Sequence, residues 1–235
     1  MISWPQGFGL KRHAELDSTN SEARRLAEAG ETGPVWIVTD RQTAGRGRRG
    51  RAWDTADGNL ATTLLLTPPA NFAQLSFVAA LAVADTALEF APHAAVIVKW
   101  PNDVLADGKK LAGILLESGQ GWLAVGIGIN LAAHPEGTEF PATSLAQFAV
   151  LPSRDDALTV LAARFAHWYA LWMEQGFERV REAWLARAGG LGLPIRARLP
   201  HETRHGVFEG IDASGALLLN EQGTIRPISA GEVFF

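Results

Sequence analysis

The 235-residue sequence predicts an α/β (α+β) protein with a small β-barrel domain at its end. Up to residue 188, apolar runs of strand length alternate with longer runs of helical periodicity. From residue 194, short apolar runs follow one another, separated by the turn sequences DASG and NEQG. Closely spaced short strands over about 45 residues are typical of a small SH3-like barrel. We therefore predict one domain over residues 1–188 and a second over residues 189–235.

Periodicity and turn residues define the first predicted elements. Thr19 and Glu22 fit a capping box, which predicts a helix of about three turns with an apolar stripe. Pro68 follows an apolar run and ends its strand, because proline lacks the N–H that a strand ladder needs. The strands predicted in this half of the first domain lie at 12–16, 34–43 and 59–67.

The remaining elements follow from the same patterns. Residues 72–91 are apolar on several faces and predict a well-buried helix. Pro101 ends the strand that precedes it. In chain order we predict strands at 95–100, 110–118 and 121–131, a loop from 132 to 152, helices at 154–173 and 177–188, and the short strands PIRARL, HGVFEGI, ALLLN, TIRPI and EVFF.

Composition excludes several kinds of protein. The chain has no cysteine, which excludes disulfides and zinc–thiolate sites. No apolar run approaches the roughly 20 residues of a membrane span, and the N-terminus lacks a signal-peptide core, so we expect a cytoplasmic protein without membrane association. His201 and His205 have the spacing of a metal-binding pair, but Pro200 breaks the helix that such a pair needs.

Residues 45–51, GRGRRGR, place four arginines among three glycines. The formal net charge of the chain is −4, so the rest of the chain carries −8 (−4 minus the four arginine charges). Nucleic-acid-binding domains usually present a broad basic face, whereas here the positive charge is local. Guanidinium groups bind phosphate in a bidentate manner, and glycines let the backbone fold closely around a ligand. The loop therefore indicates a small anionic ligand, and we expect it to be mobile when empty.

Two other interpretations of this loop are weaker. Gly45, Gly47 and Gly50 match the dinucleotide fingerprint G-x-G-x-x-G, but the sequence after them contains turn signals and no helical period. A solvated basic surface loop is the ordinary alternative for a charge run. The regular interleaving of glycine and arginine speaks against it.

Five motifs in order resemble those of the biotin protein ligases: STN at 18–20, RQTAGRGRRGRAW at 41–53, KWPND at 99–103, KLAGIL at 110–115 and GIGIN at 126–130. The tail GIDASGALLL…GTIRPISAGEV is similar to that family's C-terminal domain. One such motif could arise by chance, but five in order are specific. No counterpart of the DNA-binding N-terminal domain of the bifunctional repressor-ligases precedes residue 12.

The resemblance implies a two-step reaction. Biotin and MgATP give biotinyl-5'-AMP and pyrophosphate, and a specific lysine of a biotin carboxyl carrier domain then takes the biotin and releases AMP. The carrier would belong to acetyl-CoA carboxylase or another biotin-dependent carboxylase. The implied fold is a mixed central sheet flanked by helices, like that of class II aminoacyl-tRNA synthetases. We expect a monomer or homodimer that binds no DNA.

The resemblance also assigns the residues that bind biotin and the adenylate. Ser18, Thr19 and Asn20, with Gln42, hold the ureido ring, whose carbonyl and N–H groups need donors and acceptors of these types. Capping of the helix by Thr19 is compatible with this role, because a helix N-terminus presents free N–H groups. The arginine loop contributes Gly45, Arg46, Gly47 and Arg48, and we expect Arg48 and Arg51 to contact phosphate.

Two lysines and one aspartate are the further catalytic candidates, together with Arg48. Lys110 matches the family position that reaches the biotin carboxylate and the bridging phosphate, and Lys99 is a second phosphate or carbonyl contact. Asp103, placed with Asn102 in a loop mouth after Pro101, could hold Mg²⁺ or orient the acceptor amine. A loop-capping pair and a solvated lysine are the ordinary alternatives.

Gly113 and Gly128 lie inside predicted strands, where close approach of a ligand or a β-bulge would explain a glycine. Asn130 is expected near the ribose or triphosphate. Trp53 is a candidate for stacking on adenine or, alternatively, an ordinary core residue.

Two rival functions remain at this stage. A lipoate–protein ligase would use a related fold on another acid, although the arginine loop and KWPND favour biotin. A non-catalytic nucleotide- or RNA-binding protein would use the loop as a basic clamp, and the acidic remainder of the chain argues against it.

Overall fold

The computed structural model describes residues 2–53 and 55–235, and a seven-stranded sheet forms its larger part. The strands of this sheet are β1 (Gly9–Leu16), β2 (Val35–Gln42), β3 (Leu60–Leu66), β4 (Val96–Lys99), β5 (Asp103–Ala106), β6 (Lys109–Gly119) and β7 (Trp122–Ile129). They lie in the order β1-β2-β3-β7-β6-β5-β4. Strands β1 and β2 are parallel and the other neighbours antiparallel, so the predicted mixed sheet is confirmed.

Four helices cover the two faces of this sheet: α1 (Thr19–Glu28), α2 (Leu75–Phe90), α3 (Arg154–Gln175) and α4 (Phe177–Leu185). Successive residues of a strand point to opposite faces, so the side chains of β2 pack alternately on the two faces of the sheet. Trp36 and Val38 join the large core with α2, α3 and α4. Val35 and Ile37 join a smaller core with Ala23 of α1. The face under α1 is therefore only partly covered by a helix, and the candidate site lies there.

Two local predictions are wrong. Ser18, not Thr19, is the N-cap of α1, and its side chain makes no capping hydrogen bond. Asp103 does not lie in a loop mouth but begins strand β5, directly opposite Lys99 in the antiparallel register. Pro101 does end β4, yet the chain turns back at once and pairs again. A short hairpin therefore places Lys99 and Asp103 side by side.

The expectation that no apolar run approaches the length of a membrane span is also wrong. Among the described residues, one helical stretch, Phe72–Phe90, meets that criterion of length and hydropathy. Most of its side chains are buried against the sheet and α3. This is the packing of a core helix.

A second, antiparallel sheet contains β8 (Pro194–Arg198), β9 (Thr203–Ile211), β10 (Leu217–Glu221), β11 (Thr224–Ile228) and β12 (Glu232–Phe234). The five predicted short strands are thus confirmed. Their order is β11-β10-β9-β8-β12, and within the described residues β11 and β12 do not pair to close the barrel. The division of the chain between residues 188 and 189 stays a prediction.

A turn of the second sheet packs against the first domain. Trp100 Nε1 donates to the carbonyl of Gly215 at 3.1 Å, and Gln74 Nε2 donates to that of Ala213 at 3.0 Å. Trp100 is fully buried and directly follows Lys99. The small domain is therefore anchored beside the Lys99–Asp103 hairpin.

Candidate active site

The start of α1 and the end of β2 meet in a polar cleft of about 450 Å³. The backbone N–H and the hydroxyl of Thr19 both donate to Gln42 Oε1, at 2.9 and 3.2 Å. The hydroxyl of Thr63 on β3 lies 2.7 Å from Thr19 Oγ1 and 2.6 Å from Asn20 Oδ1. Ser18, Thr19, Asn20 and Thr63 are buried, so their polar atoms are fixed by one another before a ligand arrives.

Glu117 connects this polar cleft to the arginine loop. Asn20 Nδ2 donates to Glu117 Oε2 at 2.8 Å. Arg46 Nη2 lies 3.5 Å from the same carboxylate oxygen and donates to Ser21 Oγ at 3.1 Å. Arg46 is therefore directed towards α1, and it lines the cleft.

Three glycines form the floor of the cleft. Gly113 and Gly128 are directly paired across β6 and β7, and the indole of Trp53 lies on them. A Cβ on Gly128 would overlap this ring, and a Cβ on Gly126 would overlap the side-chain amide of Asn20. In this structure the group that approaches Gly113 and Gly128 closely is thus the Trp53 side chain. Trp53 lines both the polar cleft and a neighbouring larger one.

Lys110 lies where the clefts meet. Its ammonium is 2.7 Å from Asp103 Oδ1 and 5.7 Å from the centroid of the Trp53 ring. Its backbone N–H donates to the Pro141 carbonyl at 2.8 Å, which ties the strand to the loop that follows β7. The residue lines the polar cleft and both clefts beside it, so its charge can act on a ligand that spans them.

Lys99 is not a solvated lysine, because its exposure is only 6%. Burial, reinforced by the nearby charge of Lys110 and opposed by that of Asp103, lowers its pKa to about 8. The ammonium lies 3.6 Å from the centroid of the Phe140 ring. Lys99 and Lys110 thus flank Asp103 from two sides.

The arginine loop closes as a tight turn. Gly47 N donates to the Arg51 carbonyl at 2.7 Å, and Trp53 N donates to the Gly45 carbonyl at 2.9 Å. A side chain at Gly45 would overlap the Trp53 carbonyl and the Gln42 amide, so glycine is needed for this closure. Arg49 has a φ of 57°, in the left-handed region.

The arginines predicted to contact phosphate lie on the side of the small domain. Arg48 Nη1 donates to Asn102 Oδ1 at 3.2 Å, and burial lowers the pKa of its guanidinium. Arg51 Nη1 lies 2.8 Å from Glu232 Oε1 on β12. A cleft of about 440 Å³ brings together the four catalytic candidates and Arg51; its charged lining residues are Arg48, Arg49, Arg51, Lys99, Asp103, Lys110 and Glu232.

The larger neighbouring cleft, of about 900 Å³, lies under the loop after β7. Asn130 lines it and donates from Nδ2 to the Thr143 carbonyl at 3.0 Å. Thr138, Glu139 and Phe140 also line it, together with Arg51 and Trp53. Except for Gly45, the predicted site residues thus line three adjoining clefts that share Lys110.

The sequence-based prediction missed several residues of the site. Thr63 could have been found, because two threonines interrupt the otherwise apolar strand LATTLLL. Gly126 lies within GIGIN and has the same spacing as Gly128. Glu117, Phe140 and Glu232 reach the site only through the fold, and nothing in their local sequence marks them.

No group of three His, Asp or Glu side chains that could hold a metal occurs in the described part of the chain. Asp103 and Glu232 are the carboxylates in the wall of the arginine-lined cleft. Mg²⁺ commonly uses one or two protein carboxylates together with substrate phosphates. The donor set therefore fits Mg²⁺ that arrives with a nucleotide.

Two family models match the chain. One, described as the biotin/lipoate A/B protein ligase family, matches residues 14–133, and the other, described as the biotin protein ligase C-terminal domain, matches residues 190–235. With this sheet, cleft and loop, the chain belongs to the biotin/lipoate A/B protein ligase family. Within that family it groups with the biotin protein ligases, as the following relatives indicate.

The chain is 47% identical to a biotin–[acetyl-CoA-carboxylase] ligase of Paracoccus denitrificans, over 94% of this chain and 98% of that protein. It is 35% identical to the bifunctional ligase/repressor BirA of Bacillus subtilis, over 96% of this chain and 76% of that protein. Among solved structures, the biotin protein ligase of Aquifex aeolicus in complex with biotin and ATP superposes with a TM-score of 0.86 at 31% identity, covering 96% of this chain and 97% of that one.

Proposed function

We propose that the protein activates biotin with ATP to biotinyl-5'-AMP and then transfers biotin to a specific lysine of a biotin carboxyl carrier domain. One observation carries this proposal. A cleft lined by the buried polar side chains of Ser18, Thr19 and Asn20 adjoins an arginine- and lysine-lined cleft, and Lys110 stands where they meet. A neutral ring bearing a carboxylate and a nucleotide triphosphate need such a pair of adjoining sites. The Aquifex aeolicus complex with biotin and ATP supports the same substrates.

The polar cleft suits the ureido group of biotin. This group offers one carbonyl acceptor and two N–H donors. Thr19, Asn20 and Gln42 present both donors and acceptors, and Thr63 holds two of them in place. Since the network is already formed, binding requires little rearrangement of these side chains. The carboxylate of biotin would extend towards Lys110.

In the first step the biotin carboxylate attacks the α-phosphorus and pyrophosphate leaves. Negative charges must approach one another, so cations placed at the reacting atoms lower the barrier. Lys110 would contact the carboxylate and the bridging oxygen. Arg48, Arg51 and Lys99 would contact phosphate oxygens from the adjoining cleft. Asn130 and Trp53 line the larger cleft, where the nucleoside would lie.

Magnesium would enter with ATP. Asp103, alone or with Glu232, would hold the ion together with the phosphates, and Mg²⁺ would neutralise charge on the leaving pyrophosphate. Asp103 already balances the charge of Lys110 at 2.7 Å.

In the second step a carrier lysine attacks the acyl carbon and AMP leaves. The attacking amine must lose a proton, and Asp103 is our candidate to orient it. The arginine loop would cover the adenylate meanwhile and keep water away from the mixed anhydride. Arg48 links this loop to Asn102, next to Asp103.

The acceptor we propose is the carrier domain of acetyl-CoA carboxylase or of another biotin-dependent carboxylase, as the name of the Paracoccus denitrificans relative indicates. We further propose that the protein works in the cytoplasm as a monomer or homodimer, without membrane association and without DNA-binding or repressor activity. Sequence-specific binding of the purified chain to an operator would contradict this last point.

The test is incubation of a purified carrier domain with biotin, MgATP and the protein, followed by mass spectrometry. We expect one biotin on one lysine of the carrier, pyrophosphate release without the carrier and AMP release with it. Lipoate in place of biotin is the matched control and should give little product. Transfer of lipoate at the same rate, or an unmodified carrier, would refute the assignment.

A further inference from the structure

Aromatic rings surround the ammonium group of Lys99. Its Nζ lies 3.6 Å from the centroid of Phe140, 5.7 Å from that of Phe234 and 6.0 Å from that of Phe235. Cations within about 6 Å of a ring centroid are attracted by the negative face of the ring. Within the described residues, Lys99 Nζ makes no ion pair within 4.0 Å and no hydrogen bond to another side chain. The rings are therefore its principal neighbours.

The rings continue into a column that joins the two domains. Phe140 stacks on Phe234 with centroids 4.7 Å apart and an interplanar angle of 26°. Arg196 lies 4.2 Å from the centroid of Phe234. The order is thus cation, ring, ring, cation, from Lys99 in the large sheet to Arg196 in the small one.

An ion pair fixes the segment that carries Phe140. Arg198 donates from Nη1 and Nη2 to the two carboxylate oxygens of Glu139, at 2.7 and 2.9 Å. Bidentate pairs of this kind restrict orientation as well as distance. Glu139 directly precedes Phe140, so the position of this ring depends on strand β8 of the small domain.

The carboxylate nearest in register to Lys99 is already engaged. Asp103 lies opposite Lys99 between β4 and β5, but its Oδ1 is 2.7 Å from Lys110 Nζ. A buried ammonium without a carboxylate partner is costly unless other groups stabilise it. Ring faces do so without placing a competing negative charge beside the ammonium, which can therefore still attract an anionic ligand in the arginine-lined cleft.

We propose that Phe140 and Phe234 are positioning residues that hold the Lys99 ammonium at the arginine-lined cleft, so that the small domain takes part in adenylate formation through Lys99. The proposal rests on the function proposed above and deepens it. The competing explanation is that the rings only pack the two domains together, in which case any apolar side chain of similar size would serve equally well.

The first test compares rates of pyrophosphate release with biotin and MgATP. Phe140→Leu keeps an apolar side chain and removes the ring, and we expect the rate to fall by roughly 2- to 30-fold, the range of a cation–ring contact. Phe140→Tyr keeps the ring and should retain most of the rate. Phe90→Leu, a partly buried phenylalanine on the other face of the sheet, is the matched control and should have no effect on the rate.

A double-mutant cycle separates positioning from packing. If Phe140 acts through Lys99, Phe140→Leu should have little further effect in a Lys99→Met background. An equal loss in both backgrounds, or a wild-type rate in Phe140→Leu, would overturn the proposal.

A second measurement does not depend on activity. The chain has four lysines, Lys11, Lys99, Lys109 and Lys110, so carbon-13 labelling of lysine gives four side-chain signals to titrate by NMR. Loss of the ring leaves burial and the charges of Asp103, Lys110, Glu139 and Glu232 in place. The pKa of Lys99 should therefore fall in Phe140→Leu, by about 0.3 to 1.5 for the same range of rate factors, and stay unchanged in Phe140→Tyr.

An unchanged or raised pKa of Lys99 in Phe140→Leu would overturn the proposal. Absence of pyrophosphate release from the wild-type protein would instead refute the proposed function, and the titration would still decide whether the rings hold the ammonium.

Discussion

The polar cleft at the start of α1 and the arginine loop at 45–51 are held together in opposite ways. In the cleft, Thr19, Asn20 and Thr63 are buried and bond one another within the large sheet and its helix. The loop arginines are partly exposed, and their partners lie in three distant segments of the chain. Arg46 contacts Ser21, Arg48 contacts Asn102, and Arg49 and Arg51 both lie near Glu232.

The difference corresponds to the chemistry of the two ligands that we propose for these halves. A neutral ring of fixed shape is best bound by a network that is already formed. In the proposed reaction the phosphate charge shifts and part of it leaves with pyrophosphate. The side chains that contact phosphate must therefore be able to change partners. Partly exposed ion pairs contribute little stability, which means that a phosphate can replace Glu232 on Arg51 at small cost. One half of the site is therefore rigid, and the other can be rearranged by the ligand.

The largest effect is expected at Lys99, because this residue lies in the arginine-lined cleft with the charged loop and yet is buried. Below pH 8 the lysine is protonated in both the folded and unfolded states, and the cost of burying its charge is complete. Between pH 8 and the ordinary value of 10.5 the folded state loses the proton first, so the cost declines as pH rises. Lys99→Met should therefore raise the free energy of unfolding at pH 7 by about 3 kcal/mol.

The gain in Lys99→Met should shrink towards zero by pH 10.5, and urea unfolding at several pH values measures it. The same variant should form the adenylate more slowly than wild type, at a rate that can still be measured. If Lys99→Met is no more stable than wild type at pH 7, then burying the charge of Lys99 does not destabilise the folded protein.

Lys110 tests the point at which the two halves meet. Lys110→Ala removes the charged hydrogen bond that we propose to the reacting carboxylate, which is worth about 1.5–3 kcal/mol, or roughly a 10- to 150-fold loss in the rate of adenylate formation. Pyrophosphate release in the presence of biotin and MgATP measures this rate. Lys109→Ala, the exposed neighbour, is the matched control. Unchanged pyrophosphate release in Lys110→Ala would show that the residue has been assigned the wrong role.

Thr63 tests the rigid half alone. Thr63→Val keeps the shape of the side chain and removes the hydroxyl that bridges Thr19 and Asn20. The net value of a hydrogen bond is about 0.5–1.5 kcal/mol, so biotin affinity should fall by roughly 2- to 12-fold in calorimetry. Thr86→Val, which removes a buried hydroxyl on α2, controls for stability. If both variants bind biotin equally well, the cleft is not the site for the neutral ring.

The sequence predicted the rigid half better than the charged half. Ser18, Thr19, Asn20 and Gln42 lie next to predicted elements, and the structure brings them together. The capping box failed because the hydroxyl of Thr19 has a better partner in Gln42, from a strand that local periodicity does not connect to it.

The charged half depends on contacts between distant segments. Glu232 is far from residue 51 in the chain, and Phe140 lies in a segment predicted only as loop. Strand β5 was missed because Pro101 was taken as the end of pairing, whereas it begins a turn that returns the chain to Lys99. Residues that reach the site through long-range packing produce no helical or strand periodicity in the sequence around them.

The smallest effect on stability is expected from Arg48. Within the described residues its side chain makes one hydrogen bond, 3.2 Å long, to Asn102, so Arg48→Gly should change the free energy of unfolding by less than about 1 kcal/mol. The loop should nevertheless close less firmly over the adenylate, because one phosphate partner is lost. The adenylate should then escape before a carrier arrives, and an activated acyl group in solution reacts with any exposed lysine amine.

Arg48→Gly should therefore biotinylate bystander proteins such as serum albumin, which wild type leaves unmodified, and its loop should be cut faster by trypsin in the presence of biotin and ATP. Arg49→Gly is the matched control, because it removes the same charge from the same loop without touching Asn102, and glycine suits the left-handed backbone at that position. If the loop half of the site retains the intermediate through Arg48, only the first variant loses selectivity. If both variants lose it equally, retention depends on the total charge of the loop rather than on one placed guanidinium, and if neither does, the rigid half retains the intermediate without the loop.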